Sequence, residues 1–132
     1  MTRWEKAVEN HKKGYNCAQA VACAFADKTN LSEDDIFRLT EAFGGGMGGT
    51  RGVCGAVSGM VFVVGALHSK GIQPLPETNK KQSYAVAREL MGEFESRIGT
   101  TLCGEIKDKQ LRSCDGCIED AVKILEEKLC LD

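Results

Sequence analysis

The sequence has no run of alternating apolar and polar residues long enough, or rich enough in β-branched side chains, to argue for a sheet. It has no basic stripe either. Its 17 Lys and Arg and 19 Asp and Glu are mixed along the chain, for a formal charge of −2, so nucleic acid is not an expected partner. The longest apolar segment, residues 53–67, falls short of the roughly 20 residues that a membrane-spanning helix needs and reads as a buried core helix. The N-terminus, Met1-Thr2-Arg3-Trp4-Glu5-Lys6, lacks the apolar stretch and small-residue cleavage site of a secretory signal, and the expected location is the cytoplasm. Aromatic residues are scarce, at 6%, so Leu, Val, Ala, Met and Gly must fill most of the interior. That composition suits closely packed helices with small residues at their contacts. Neither a repeat nor a linker interrupts the 132 residues, a length suited to one domain over residues 1–132.

What is present is helical periodicity. Trp4, Ala7, Val8 and His11 share a face over residues 2–13, and Gly14 follows as a stop. Asn16 can cap an Ala-rich helix over residues 17–26. Ser32, with Asp35 three residues on, opens a helix over residues 32–43 that carries Ile36, Leu39 and Phe43. The apolar segment continues from residue 53 to about residue 69, and the proline-containing stretch 71–76 ends it. Tyr84, Ala87, Leu90, Met91 and Phe94 define an amphipathic helix over residues 78–97, closed by Gly99. Residues 102–107 supply one further turn. Asp115-Gly116-Cys117 opens a last helix bearing Ile118, Ala121, Val122, Leu125 and Leu129. The predicted architecture is all-α: a compact single-domain bundle of about five to six helices around the central apolar helix.

The chemistry lies in the cysteines, seven of them. An odd count without a secretory signal argues against a secreted disulfide scaffold, which leaves reduced thiols, redox-active thiols or metal thiolates. Cys17, Cys54 and Cys117 each fall in the first turn of a predicted helix. There, unpaired backbone N–H groups and the helix dipole can lower a thiol pKa from about 8.5 into the range of roughly 3.5 to 7.5. The competing reading is that cysteine is a small hydrophobe suited to tight helix starts. Cys103 falls in an irregular stretch, Cys23 reads as core packing, and Cys130 as a bystander near the C-terminus. Cys114-Asp115-Gly116-Cys117 is a CxxC at a helix start without the βαβ context of a thioredoxin fold. His11 and His68 show no ligand spacing.

Residues 44–52 are too glycine-rich for a regular element, since each glycine costs about 1 kcal/mol of helix propensity relative to alanine. Gly45, Gly46 and Gly48 could present amides to an anion, but no Lys-Ser/Thr ending of a P-loop follows. The better reading is a loop that takes positive φ and passes close to Cys54 or a neighbouring helix. Gly55 and Gly59, four apart, allow a close backbone approach on the central helix.

Cys54-Gly55-Ala56-Val57-Ser58-Gly59, preceded by Asn16-Cys17-Ala18-Gln19-Ala20-Val21 and Phe43-Gly44-Gly45-Gly46-Met47-Gly48 and followed by Phe94 before Cys103, resembles the C_GCAxxG_C_C family of redox-active proteins. The resemblance covers nearly all of the chain. It implies redox activity, without naming a substrate, and places the family's four cysteines on Cys17, Cys54, Cys103 and Cys117. Cys114 competes for the last place; Cys23 and Cys130 look like additions. Thiol–disulfide chemistry at these four, needing no cofactor and an unidentified redox partner, is the first expectation. The alternative is an iron–sulfur cluster or zinc on Cys17, Cys54, Cys103 and Cys117, with Cys114 as a substitute ligand. The third is a helical interaction module whose cysteines only pack. Both chemical readings expect the four to converge; the oligomeric state is left open.

Overall fold

Side-chain caps set several of the helix starts. In the computed structural model, which describes residues 1–74 and 76–131, helix α1 (Arg3–Lys12) opens on a capping box between Thr2 and Glu5. Leu75, within the predicted stop, and Asp132 lie outside the described residues. Helix α2 (Cys17–Cys23) has a second box: Asn16 Oδ1 accepts from the Gln19 amide and Gln19 Oε1 accepts from the Asn16 amide, both at 2.9 Å. Ser32 caps α3 (Glu33–Thr40), accepting from the Asp35 amide at 3.1 Å. Ser113 caps α7 (Cys114–Lys128), accepting from the Gly116 amide at 2.9 Å. Between them lie α4 (Gly55–His68), α5 (Lys80–Ile98), which ends on Gly99 at φ 113°, and the short α6 (Cys103–Asp108). No strand occurs among the described residues, and the all-α expectation holds.

The boundaries differ from expectation where tertiary pairing intervenes. The helix predicted over 17–26 stops at Cys23 and gives way to a 3-10 turn at Ala26–Lys28. The one predicted over 32–43 stops at Thr40, and a 3-10 turn at Glu41–Phe43 completes it. The central helix begins at Gly55, two residues later than expected, because Val53 is extended and bridges antiparallel to Leu102. The last helix begins one residue earlier than Asp115, since Ser113 is its cap. The predicted extra turn at 102–107 is α6, making seven α-helices among the described residues against the five to six expected.

Helix α4 packs against α2, α5 and α7, and its Ala56, Val57, Met60 and Val63 are fully buried. Two glycines of α4 itself let α2 come very close. A Cβ on Gly59 would stand 2.6 Å from the carbonyl oxygen of Ala18, and one on Gly55 would stand 3.1 Å from Cβ of Cys17. The two glycines of the CGAxxG segment therefore act as the seat for the first turn of α2, which carries Cys17. Among the described residues no helix is long and apolar enough to cross a membrane.

Gly59→Ala tests this contact. The added methyl meets backbone, which cannot swing away as a side chain would, so α2 and α4 must separate. The expected loss is about 1–3 kcal/mol in urea unfolding. A Gly92→Ala control, where a Cβ meets nothing within 4 Å, should be neutral or stabilising. Equal stability of the two variants would contradict the seat.

Candidate functional site

Four helices point their N-termini at one place. Cys17, Cys103 and Cys114 are the first residues of α2, α6 and α7, and Cys54 is the residue before α4. Cys117 lies one turn into α7, its amide donating to the Ser113 carbonyl at 2.9 Å. These five sulfur-bearing residues line a single cavity of about 60 Å³ together with Gly45, Gly55, Ile106, Lys107 and Arg112. Cys23 and Cys130 are not among its lining residues: Cys23 is buried with its thiol 3.7 Å from the Glu33 carbonyl, and Cys130 is exposed. All seven cysteines are free thiols.

The pairing of Cys54 with Cys103 comes from backbone. The extended bridge between Val53 and Leu102 is flanked by two hydrogen bonds of 2.7 Å, the Cys54 amide donating to the Thr101 carbonyl and the Cys103 amide to that of Gly52. Each cysteine is thereby delivered to the start of its own helix beside the other. Cys103 is thus not in an irregular stretch, as expected, but at a helix start. The glycine loop leads into this bridge. Gly45, Gly46, Gly48 and Gly49 take positive φ, and a Cβ on Gly46 would lie 2.5 Å from the Gly52 nitrogen. The Gly48 amide, considered above as an anion donor, instead donates to the Ala42 carbonyl at 2.8 Å.

Electrostatics separates the thiols. The Cys54 pKa is lowered to about 7, first by a hydrogen bond from Cys117 and then by the amides of Ala56 and Val57 at the start of α4, with Lys107 adding a smaller attraction. The Cys117 thiol is held far above the ordinary range because it donates to Cys54, and burial adds to this. The two behave as one acid that loses its first proton readily and its second with difficulty. Burial, then the neighbouring Cys114 and Cys54, pushes Cys17 up to about 12. Cys103 is raised by burial, against the pull of Lys107.

Ile106, Lys107 and Arg112 line the cavity and escaped the sequence reading as site members, while Cys114 was named there in a lesser role. Cys114 entered only as a substitute, although Ser113 three residues before Gly116 marks the cap that puts Cys114 first in its helix. Lys107 is four residues after Cys103 on α6, hence on the same face. Arg112 gave no local indication; it packs over Gly116, where a Cβ would meet its Nε at 2.5 Å, and pairs with Asp120 at 3.1 Å. His11, which shows no ligand spacing, is hydrogen-bonded to Asp115 through Nδ1 at 2.7 Å and so ties α1 to the CxxC turn. Among the described residues no group of three or more His, Cys, Asp or Glu is arranged to hold a metal ion. A larger, almost wholly apolar groove of about 550 Å³ lies along the other side of α4, lined by Leu39, Phe43, Val57, Phe62 and Met91 among others, and no cysteine borders it.

The family model described as "Putative redox-active protein (C_GCAxxG_C_C)" matches residues 15–128. No curated protein and no solved structure matches the chain. The matched span includes all five cavity cysteines, and the chain belongs to that family.

Two outcomes follow from the thiol environments. Alkylation of Cys54 by a small iodoacetamide probe should rise with pH through a midpoint near its pKa of about 7. Cys117→Ala removes the donated hydrogen bond and should move that midpoint up toward the roughly 8.5 of a free thiol; an unmoved midpoint would contradict the pairing.

Stability should also depend on pH. Cys54 releases its proton in the folded chain before the unfolded one, so stability gains between about pH 7 and 8.5 as pH rises. Cys17, Cys23, Cys103 and Cys117 keep their protons in the folded chain after unfolded thiols have lost theirs, so stability falls as pH rises beyond about 8.5. Urea midpoints measured under reducing conditions should peak near pH 8 and decline by pH 9.5. A midpoint still rising at pH 9.5 would reverse the argument.

Proposed function

We propose that this member of the redox-active family works by thiol–disulfide chemistry, with Cys54 as the attacking thiolate and Cys117 as the resolving thiol. What supports the reading is that Cys54 and Cys117 line one small cavity at the start of α4, where the Cys117 thiol and the amides of Ala56 and Val57 lower the Cys54 pKa to about 7. Near neutral pH about half of Cys54 is then ionised, close to the optimum for an attacking thiol, whose pKa should lie near the ambient pH.

The Cys54 thiolate attacks one sulfur of a disulfide, forming a mixed disulfide and releasing the other sulfur as a thiolate that takes up a proton. With Cys54 bound, Cys117 no longer has a thiolate to donate to, and its own pKa drops. It loses its proton to solvent and attacks Cys54, closing the Cys54–Cys117 disulfide and expelling the second thiolate. Two electrons pass from the Cys54–Cys117 dithiol to the incoming disulfide, and the reverse sequence oxidises an incoming dithiol. Arg112 and Lys107 stand at the cavity wall, where positive charge favours each thiolate that forms.

Titrating the reduced chain with one equivalent of hydrogen peroxide and mapping disulfides by mass spectrometry tests the pair. The expected product is Cys54–Cys117, absent from Cys54→Ala and unchanged in Cys130→Ala. Pairings distributed by exposure, with Cys130 foremost, would refute the assignment. Protein purified without oxygen that carries stoichiometric iron or zinc would replace this reading with the metal-thiolate one.

A further inference from the structure

The proposed Cys54–Cys117 pair has no direct route to a disulfide on another protein. Cys54 is 6% exposed and Cys117 is 2% exposed. The cavity they share, about 60 Å³, has room for only a few water molecules. Disulfide exchange requires the attacking sulfur to approach along the line of the bond being broken. A folded partner cannot bring its disulfide into that space.

Cys114 is placed differently. It lines the same cavity yet is exposed, while Cys17, which also lines it, is half-buried. Gly55 lets Cys17 sit against the start of α4, whose preceding residue is Cys54. The Ser113 cap and the His11–Asp115 contact hold the turn that carries Cys114 in place at the surface. The sulfurs thus run from surface to interior as Cys114, Cys17, then Cys54 with Cys117.

We propose that Cys114 and Cys17 form an outer dithiol that exchanges with disulfides of partner proteins and passes the oxidation inward; this rests on the Cys54–Cys117 reading above. In the first step Cys114, as thiolate, attacks a sulfur of the partner's disulfide, and the partner's other sulfur leaves and is protonated. Cys17 then gives up its proton to the departing second partner sulfur as it attacks Cys114, closing Cys17–Cys114 and releasing the partner as a dithiol. The Cys54 thiolate then attacks Cys17 of that disulfide, expelling Cys114. Cys117 loses its proton and attacks Cys54, which closes the inner disulfide and returns Cys17 to the thiol state. One partner disulfide is reduced, one inner dithiol is oxidised, and the outer pair is regenerated.

Two oxidants of different size separate the roles. Hydrogen peroxide is small enough to enter the cavity, where Cys54 takes one oxygen as a sulfenic acid and Cys117 displaces water to close the disulfide. Insulin carries its disulfides on a folded surface. In the full chain both should yield Cys54–Cys117. In Cys114→Ala the peroxide rate should stay within about twofold of the parent, while the insulin rate should fall at least about tenfold, since only the latter needs the exposed thiol. Cys17→Ala should accumulate a mixed disulfide between Cys114 and insulin, visible by mass. An unchanged insulin rate in Cys114→Ala, or a loss with both oxidants, overturns the outer pair while the inner one stands. Failure of the parent chain to form Cys54–Cys117 with peroxide sinks the inner reading and this one with it.

Discussion

Everything at the thiol cavity depends on two backbones being allowed to touch. Gly59 faces the Ala18 carbonyl and Gly55 faces Cys17, with no side chain in between. Any larger residue would hold α2 away from α4, and the starts of the two helices would no longer share a wall. The Val53–Leu102 bridge supplies the complementary constraint from the other side, fixing the start of α6 to that of α4. One contact is an absence of atoms and the other is a pair of hydrogen bonds, and together they turn sequence-distant cysteines into neighbours.

Gathering thiols in so small a space carries an electrostatic limit. Each thiolate formed makes the next less favourable, and burial penalises all of them. The chain meets this limit by favouring charge on Cys54. The amides at the start of α4 and the protonated Cys117 thiol favour charge on Cys54, while burial disfavours it on Cys17, Cys103 and Cys117. The same cavity thus lowers one thiol pKa and raises those of three neighbours. The helix dipoles alone would not have selected Cys54, because Cys17 and Cys103 also start helices and are nonetheless raised by burial. Desolvation outweighs the helix start at both.

What was legible in the sequence was local. The Asn16 cap, the Ser32–Asp35 cap and the Gly99 stop are set by residues three or four apart, and each formed where expected. So was the burial of much of α4, including Ala56, Val57, Met60, Val63 and Val64. The start of α4 was misplaced because Val53 takes its conformation from Leu102, far along the chain, and no window around Val53 contains that information. Cys103 was misjudged for the same reason. Cys114 was a different kind of miss, since the Ser113 cap was within reach and the helix was opened at Asp115 instead. Arg112 belongs to the cavity through packing over Gly116, a contact that only the folded helix creates.

Helix α2 is seven residues long, well below the roughly 12–15 at which isolated helices become even marginal in water. Its cap is not self-sufficient: Asn16 also donates to the Glu41 carbonyl at 2.9 Å, Gln19 donates to the Phe37 carbonyl at 3.0 Å, and Gly44 has no side chain where Asn16 lies. The helix therefore exists only while α3, the glycine loop and α4 are docked around it. Local opening of this region and dispersal of the thiols are one event, so the chain cannot keep a half-assembled site. Cooperativity of folding thereby guards the chemistry: a molecule that presents a grouped set of sulfurs is, by construction, one whose core is already closed.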